Sequence, residues 1–346
     1  MRIPSALSCF AIPRNRVPLK SMRQAVSSIL VFVLLAFTAS ARSEADVPSA
    51  PISTSMPAAA MASVVAVLPD WPAGYRPAAG RLEEPEGSAV ALLPGGYFAT
   101  NAHVLGPATR VDVRLADGRL RAAEIVGRDG RTDIALLRVA GEFQALEIAE
   151  APAPGERVCA VGNAFGLGIS VTCGVVSALR RSNAGFNPIE DFIQTDAAVN
   201  PGASGGALVD GRGRLVGLLS AIFTKKSDAN IGVNFAVSSR LLMRVVADLK
   251  QFGRVRAARA GWRLSPLTAA QRRHASGLRV SGLDADGPAA RAGIRADDRV
   301  VALDGNPVAL VSDARAAVFI KRPGDSVTVE VVRDGRAETF TLTLAP

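Results

Sequence analysis

Gln194-Thr195-Asp196-Ala197-Ala198-Val199-Asn200-Pro201-Gly202-Ala203-Ser204-Gly205-Gly206-Ala207-Leu208 is the stretch on which the reading of this 346-residue chain turns. A serine hydroxyl is a weak nucleophile and must be activated by a base. Glycines on both sides of Ser204 allow a tight turn that exposes the hydroxyl. They also let backbone N–H groups converge on a developing negative charge, and those of Gly202 and Ser204 are the natural donors. Taken alone the pattern says little, because glycine–serine turns are common.

Working outward, the stretch needs a base and an orienting carboxylate. His103 lies in Ala99-Thr100-Asn101-Ala102-His103-Val104-Leu105, at the end of an apolar strand. The chain holds only one other histidine, His274, far away in the C-terminal part. Asp133 sits in Arg131-Thr132-Asp133-Ile134-Ala135-Leu136-Leu137, directly before an apolar strand, where its charge is partly buried. A carboxylate so placed can hold the imidazole tautomer and stabilise the imidazolium. The three occur in the order His, Asp, Ser, with steps of 30 and 71 residues, each long enough for several strands. That order suits two barrels, the first supplying His103 and Asp133 and the second Ser204. No cluster with metal-ligand spacing occurs, and no cofactor is expected.

The rest of the chain fits a turn-rich, mostly β protein, with 49% hydrophobic residues, 32 glycines and 21 prolines. Short apolar runs recur at 63–68, 88–93, 110–115, 124–126, 134–139, 157–161, 171–179, 191–195, 206–209, 215–222 and 231–237. Asp-Gly pairs at 117–118, 129–130 and 210–211 read as hairpin turns between them. Residues 238–252 have helical spacing, with Leu241, Leu242, Val245, Val246 and Leu249 on one face, a serine N-cap and Gly253 as the stop. The basic stretch 254–259 reads as a connector. Beyond it lies a smaller unit with strands near 278–283, 299–303, 327–333 and 337–344 and helices over 288–293 and 312–321. There is no internal repeat.

The formal charge of +9 owes much to the N-terminus. Residues 1–41 carry Arg2, Arg14, Arg16, Lys20 and Arg23 and no acid; without them 35 basic residues face 31 acidic ones. With 5% aromatics and no basic block interleaved with them, a nucleic-acid partner is not expected. Residues 24–41 are uncharged, with Val26 to Phe37 as an apolar centre and Ala39-Ser40-Ala41 as a small-x-small site. This reads as an export signal cut after Ala41, the alternative being an uncleaved anchor. Residues 42–60, rich in Ala, Pro and Ser, read as a flexible linker. Cys9 would leave with the signal. Cys159 and Cys173 remain; a disulfide suits an oxidising compartment, but strand neighbours are often poorly placed for bridging, and the expectation is two small buried apolar residues.

The segments 100–104, 132–137, 162–167 (Gly-Asn-Ala-Phe-Gly-Leu) and above all 194–208 closely resemble the HtrA (Deg) serine proteases. Gly287-Pro288-Ala289-Ala290-Arg291-Ala292-Gly293-Ile294-Arg295-Ala296-Asp297-Asp298 and Lys321-Arg322-Pro323-Gly324-Asp325 resemble that family's PDZ domain. The resemblance implies a chymotrypsin-like double β-barrel over 61–253 followed by a smaller PDZ domain over 254–346. It implies an ATP-independent endopeptidase that needs no cofactor, works in the cell envelope or periplasm on unfolded or damaged polypeptides, and assembles as a trimer-based homo-oligomer. It assigns His103, Asp133 and Ser204 as catalytic, the amides of Gly202, Ala203 and Ser204 to the oxyanion hole, and Leu218, Leu219, Ser220 and Ala221 to the strand that pairs with substrate. The small and aliphatic residues of that strand imply a small aliphatic P1 side chain.

Departures from the family pattern are equally plain. Ala203 and Ala207 stand where Asn and Pro are usual, and Gly87-Ser88-Ala89 replaces Gly-Ser-Gly in what reads as the strand entering the His103 motif. In the PDZ part Trp262-Arg263-Leu264 carries Arg in a glycine place, and Pro266 cannot donate a ladder hydrogen bond, so the edge strand that would capture peptide C-termini reads as shortened. Arg263 could bind a carboxylate, though a solvated arginine is the simpler reading. The polar loops 183–187 and 224–230 are candidates for activity-controlling loops. Two other functions compete: a membrane-anchored regulatory protease with one specific partner, and a holdase or scaffold that binds unfolded chains without cleaving them.

Overall fold

The computed structural model describes residues 56–75, 86–222 and 231–346. The expected signal or anchor at 1–41 lies outside the described residues, as does the loop 224–230. Among the described residues no helix is long and apolar enough to cross a membrane.

Six strands close a first barrel in the order β1-β2-β3-β6-β5-β4: β1 (Val64–Pro69), β2 (Gly87–Leu93), β3 (Tyr97–Asn101), β4 (Val111–Arg114), β5 (Leu120–Asp129) and β6 (Ile134–Val139). Six more close a second: β7 (Arg157–Gly162), β8 (Ser170–Arg181), β9 (Phe192–Thr195), β10 (Ala207–Asp210), β11 (Leu215–Ile222) and β12 (Asn234–Ser238). Their order, β7-β8-β9-β12-β11-β10, repeats the winding of the first barrel with no repeat in the sequence to announce it. The Asp-Gly pairs at 117–118, 129–130 and 210–211 lie at the hairpins β4–β5, β5–β6 and β10–β11.

The continuous apolar runs have a simple cause. Successive strand residues point to opposite faces, and near the seam both faces are covered. In β6, Ala135 and Leu137 fill the first barrel while Ile134 and Leu136 pack into the cluster between the barrels. The second barrel repeats this, with Leu208 and Leu219 inside and Val209 and Leu218 at the seam. Helix α3 (Ser239–Phe252) lays Leu241, Leu242, Val245, Val246 and Leu249 on the same seam. The Ser238 hydroxyl accepts the Leu241 N–H at its start, and Gly253 ends it at φ 68°.

The third sheet runs β13 (Trp262–Pro266), β14 (Leu278–Leu283), β15 (Arg299–Leu303), β17 (Ser326–Arg333), β18 (Arg336–Thr343), with β16 (Asn306–Pro307) on β15. Helices α4 (Pro288–Arg291) and α5 (Val311–Ile320) complete this unit. Phe319 of α5 is buried in the seam cluster, under the Arg131 guanidinium. Beside it Arg244 pairs with Asp248 at 2.7 Å and donates to the carbonyls of Arg256 (2.8 Å) and Lys321 (3.3 Å). Burial works to raise the Asp248 carboxyl, but hydrogen bonds from the Arg256 amide and from Arg244, with the Arg244 charge, hold it below its ordinary pKa.

Four expectations need correction. The strand entering the His103 motif is β3, and Gly87-Ser88-Ala89 begins its neighbour β2. The linker ends early, because Met56–Met61 form helix α1 and Ala60 is fully buried in the seam cluster. Cys159 and Cys173 are joined: S–S is 2.11 Å and the Cα atoms lie 4.0 Å apart. They sit directly opposite each other in the β7–β8 ladder, where close opposed pairs put side chains in contact on one face. Lastly, β13 is not cut short. It pairs with β14 from Trp262 to Pro266, the proline taking the last position of an edge strand, where it is tolerated.

Candidate active site

β3 delivers the chain into the four-residue helix α2 (Ala102–Leu105), which carries His103. Asp133 stands just before β6, the strand paired with β3 in the register Asn101↔Ile134. Its backbone is left-handed, at φ 59°, a conformation an aspartate tolerates. The Asp133 carbonyl accepts the Ala102 N–H and the Asn101 side-chain amide, both at 3.1 Å. Its carboxylate accepts the His103 backbone N–H at 2.8 Å and faces the ring Nδ1 at 2.6 Å. An ionised carboxylate only accepts, so this contact selects the tautomer with the proton on Nδ1 and turns Nε2 away from Asp133. The two side chains differ in exposure, 50% for His103 and 13% for Asp133. The acid is thus sheltered while the imidazole reaches solvent.

Ser204 lies on the loop between β9 and β10, half-buried against the first barrel. Its carbonyl accepts the N–H of Ser88 in β2 at 2.8 Å. Gly205 has φ 84°, and a Cβ there would overlap the Ser88 carbonyl oxygen and the Thr100 hydroxyl. Gly202, at φ 91°, packs as closely on the Asn163 carbonyl. Both close approaches need glycine. The Ser204 hydroxyl donates to the Ser220 carbonyl at 3.3 Å rather than to His103.

The amides of this loop divide into two sets. Ala203 N–H donates to the Asn200 carbonyl at 3.0 Å and Gly205 N–H to that of Leu219 at 2.8 Å. Those of Gly202 and Ser204 find no acceptor among the described residues. Ala203 is therefore not an oxyanion donor, contrary to expectation; its amide is held inside the turn. The Pro201 carbonyl accepts the Phe165 N–H at 2.7 Å, which turns the opposite edge of that peptide, the Gly202 N–H, away from Phe165.

The strand expected to meet substrate is β11. Leu218 and Leu219 are fully buried in the seam and barrel cores, so their side chains belong to packing. Ser220 presents its carbonyl beside Ser204 where β11 shifts register against β12, and Ala221 follows it. Sequence reasoning passed over Ser88, Thr100 and Asn163 as site residues, and all three touch this loop. Among the described residues no group of three or more His, Cys, Asp or Glu could hold a metal ion.

Comparison with known proteins identifies the two domain families. Residues 87–218 match the trypsin-like peptidase domain family and residues 229–344 the PDZ domain family. The periplasmic serine endoprotease DegP of Escherichia coli (strain K12) is 38% identical over 262 residues, 72% of this chain and 54% of DegP. The periplasmic pH-dependent serine endoprotease DegQ of the same strain is 34% identical over 291 residues, 80% of this chain and 61% of DegQ. The chain thus spans about half the length of the curated relatives it matches. Among solved structures, the HtrA-type protease AlgW with a tripeptide superposes with a TM-score of 0.65 at 34% identity, covering 82% of this chain and 94% of AlgW.

Proposed function

Because this chain belongs to the HtrA (Deg) family of trypsin-like serine proteases with one PDZ domain, we propose that it is an ATP-independent serine endopeptidase acting in the cell envelope on unfolded or damaged polypeptides. The observation that carries the reading is the two-point hold of Asp133 on His103, beside a Ser204 loop that leaves the Gly202 and Ser204 N–H groups free. In this reading residues 61–253 form the proteolytic unit and 254–346 the PDZ domain.

The mechanism follows from the roles these groups can play. The Ser204 hydroxyl leaves the Ser220 carbonyl and turns to His103. Nε2 takes its proton as Oγ adds to the scissile carbonyl, and Asp133 stabilises the imidazolium. The oxygen that becomes negative is met by the Gly202 and Ser204 amides. Collapse expels the amine, which receives the proton from His103, and leaves an acyl-enzyme on Ser204. Water, deprotonated by His103, then releases the second product. Substrate backbone pairs along Ser220 and Ala221. The β13 edge is the place for a peptide C-terminus, and a trimer-based homo-oligomer is the assembly.

Digestion of reduced casein by residues 42–346, beside a Ser204→Ala variant, tests the reading. Cleavage by the first and none by the second, with fluorophosphonate labelling lost in the variant, is the expected result. A folded protein that neither cleaves nor is labelled would favour the holdase alternative. Cleavage of one partner but not of casein, together with a mature N-terminus upstream of Arg42, would favour the anchored regulatory protease.

A further inference from the structure

Ser88 is wholly buried at the first residues of β2, and every polar group it owns is engaged at the seam. Its hydroxyl donates to the Gly202 carbonyl at 2.8 Å and accepts the Asn163 N–H at 2.8 Å. Its own N–H donates to the Ser204 carbonyl at 2.8 Å, and its carbonyl accepts the Thr100 hydroxyl at 2.7 Å. Thr100 is itself fully buried, three residues before His103 on β3. One residue of the first barrel therefore grips the second barrel's loop at two carbonyls and the strand leading to His103 at a third point.

The gripped carbonyls have a particular meaning. A peptide unit is planar, so fixing its carbonyl fixes its N–H. The Gly202 carbonyl belongs to the peptide that separates the two oxyanion donors, and the Ser204 carbonyl to the peptide just after the second donor. The Asn163 amide held by the same hydroxyl anchors the segment whose next-but-one N–H, from Phe165, holds the Pro201 carbonyl. Peptide planes on either side of the 203–204 unit are thus set by Ser88 directly, and the one carrying the Gly202 N–H through Asn163 and Phe165.

We propose that Ser88 is a positioning residue for the acyl-transfer reaction: its hydroxyl, bridging Gly202 and Asn163 across the seam, sets the aim of the Gly202 and Ser204 amides at the oxyanion. The proposal rests on the function proposed above. A preorganised donor pair favours the tetrahedral transition state over the planar substrate, so loss of its aim falls on kcat and spares KM.

The test compares wild type with Ser88→Ala and Ser88→Cys on a chromogenic peptide, counting active sites by fluorophosphonate titration so that only folded enzyme is scored. Affinity for a peptide boronate, whose tetrahedral adduct uses the donors, is measured beside affinity for the amine-side product peptide, which brings no oxygen to them. For Ser88→Ala we expect kcat per titrated site to fall about 10- to 100-fold, less than loss of a donor itself. KM should stay within about 3-fold and boronate affinity fall in parallel with kcat, with product affinity unchanged. Ser88→Cys, which keeps the shape and a weak donor, should lie between, and it carries the test alone if the alanine variant does not fold. An unchanged kcat per site in the folded variants, or equal weakening of boronate and product, overturns the proposal while leaving the enzyme's function intact. A wild type that neither cleaves peptide nor is labelled at Ser204 overturns the functional reading, and this inference with it.

Discussion

The two barrels share one winding but hold their halves of the site by opposite means. The first barrel holds His103 and Asp133 through side-chain hydrogen bonds at a surface where the imidazole is half exposed. The second holds Ser204 through backbone contacts in a buried turn where Gly202 and Gly205 leave no room for a side chain. Near His103 a substitution changes chemistry and leaves shape almost untouched. Near Ser204 a Cβ added at Gly205 would collide with Ser88 and Thr100 of the other barrel, and one added at Gly202 with the Asn163 carbonyl, so there the cost falls first on shape. In the proposed mechanism, this division lets His103 and Asp133 meet substrate while Ser204 stays on a rigid support.

Three single substitutions and one double variant probe the contrast. The largest effect is expected for Asp133→Asn, which keeps the geometry but can fix the wrong imidazole tautomer: kcat should drop about 10⁴-fold with folding stability changed by less than about 1 kcal/mol. Paired kinetics and urea unfolding would read both, and a large stability loss would erase the distinction between the two halves. Next comes Gly205→Ala, where positive φ and overlap with Ser88 act together; unfolding midpoints should report a cost of roughly 3 kcal/mol. Gly130→Ala, on an open turn of the first barrel, should cost under about 0.5 kcal/mol, and equal costs at the two sites would remove the steric half of the argument. Removing the second barrel's staple should cost less than the Gly205 change and more than the Gly130 one. Cys159→Ala with Cys173→Ala should cost about 2 kcal/mol, and dithiothreitol should lower the wild-type Tm but not that of the double variant.

Much of this was legible in the residues, and for identifiable reasons. β6 and β11 carry long apolar runs, interrupted by Arg138 in the first and by Gly217 and Ser220 in the second, because both faces are covered over 134–137 and 215–220, and their expected bounds match the structure residue for residue. Helix α3 declares itself by its 3.6-residue stripe and its two caps. β5 stands out only at 124–126, because Arg121, Gly127, Arg128 and Asp129 flank that core and Leu120 is exposed; ladder bonds to β4 and β6, not apolar content, extend it to Leu120–Asp129. The disulfide depends on register, which places Cys159 opposite Cys173 and which spacing alone does not determine. His103, Asp133 and Ser204 could be picked out because their residue types are rare or specially flanked. Ser88 could not, since a buried serine gains its meaning from partners 75 and 114 residues away in the chain.

The contact between α5 and the barrels has a consequence for motion. Phe319 supplies a greasy, non-directional attachment to the seam that would tolerate small slides. Arg244 adds a directional contact of a different kind: its buried fork keeps Asp248, four residues on in the same helix, and the Arg256 carbonyl, while only the 3.3 Å bond to the Lys321 carbonyl reaches past the end of α5. A slide of α5 by about an ångström therefore gives up one long hydrogen bond and leaves the buried ion pair whole. The charge that anchors this corner is insured within a single helix, so the attachment can loosen without exposing it.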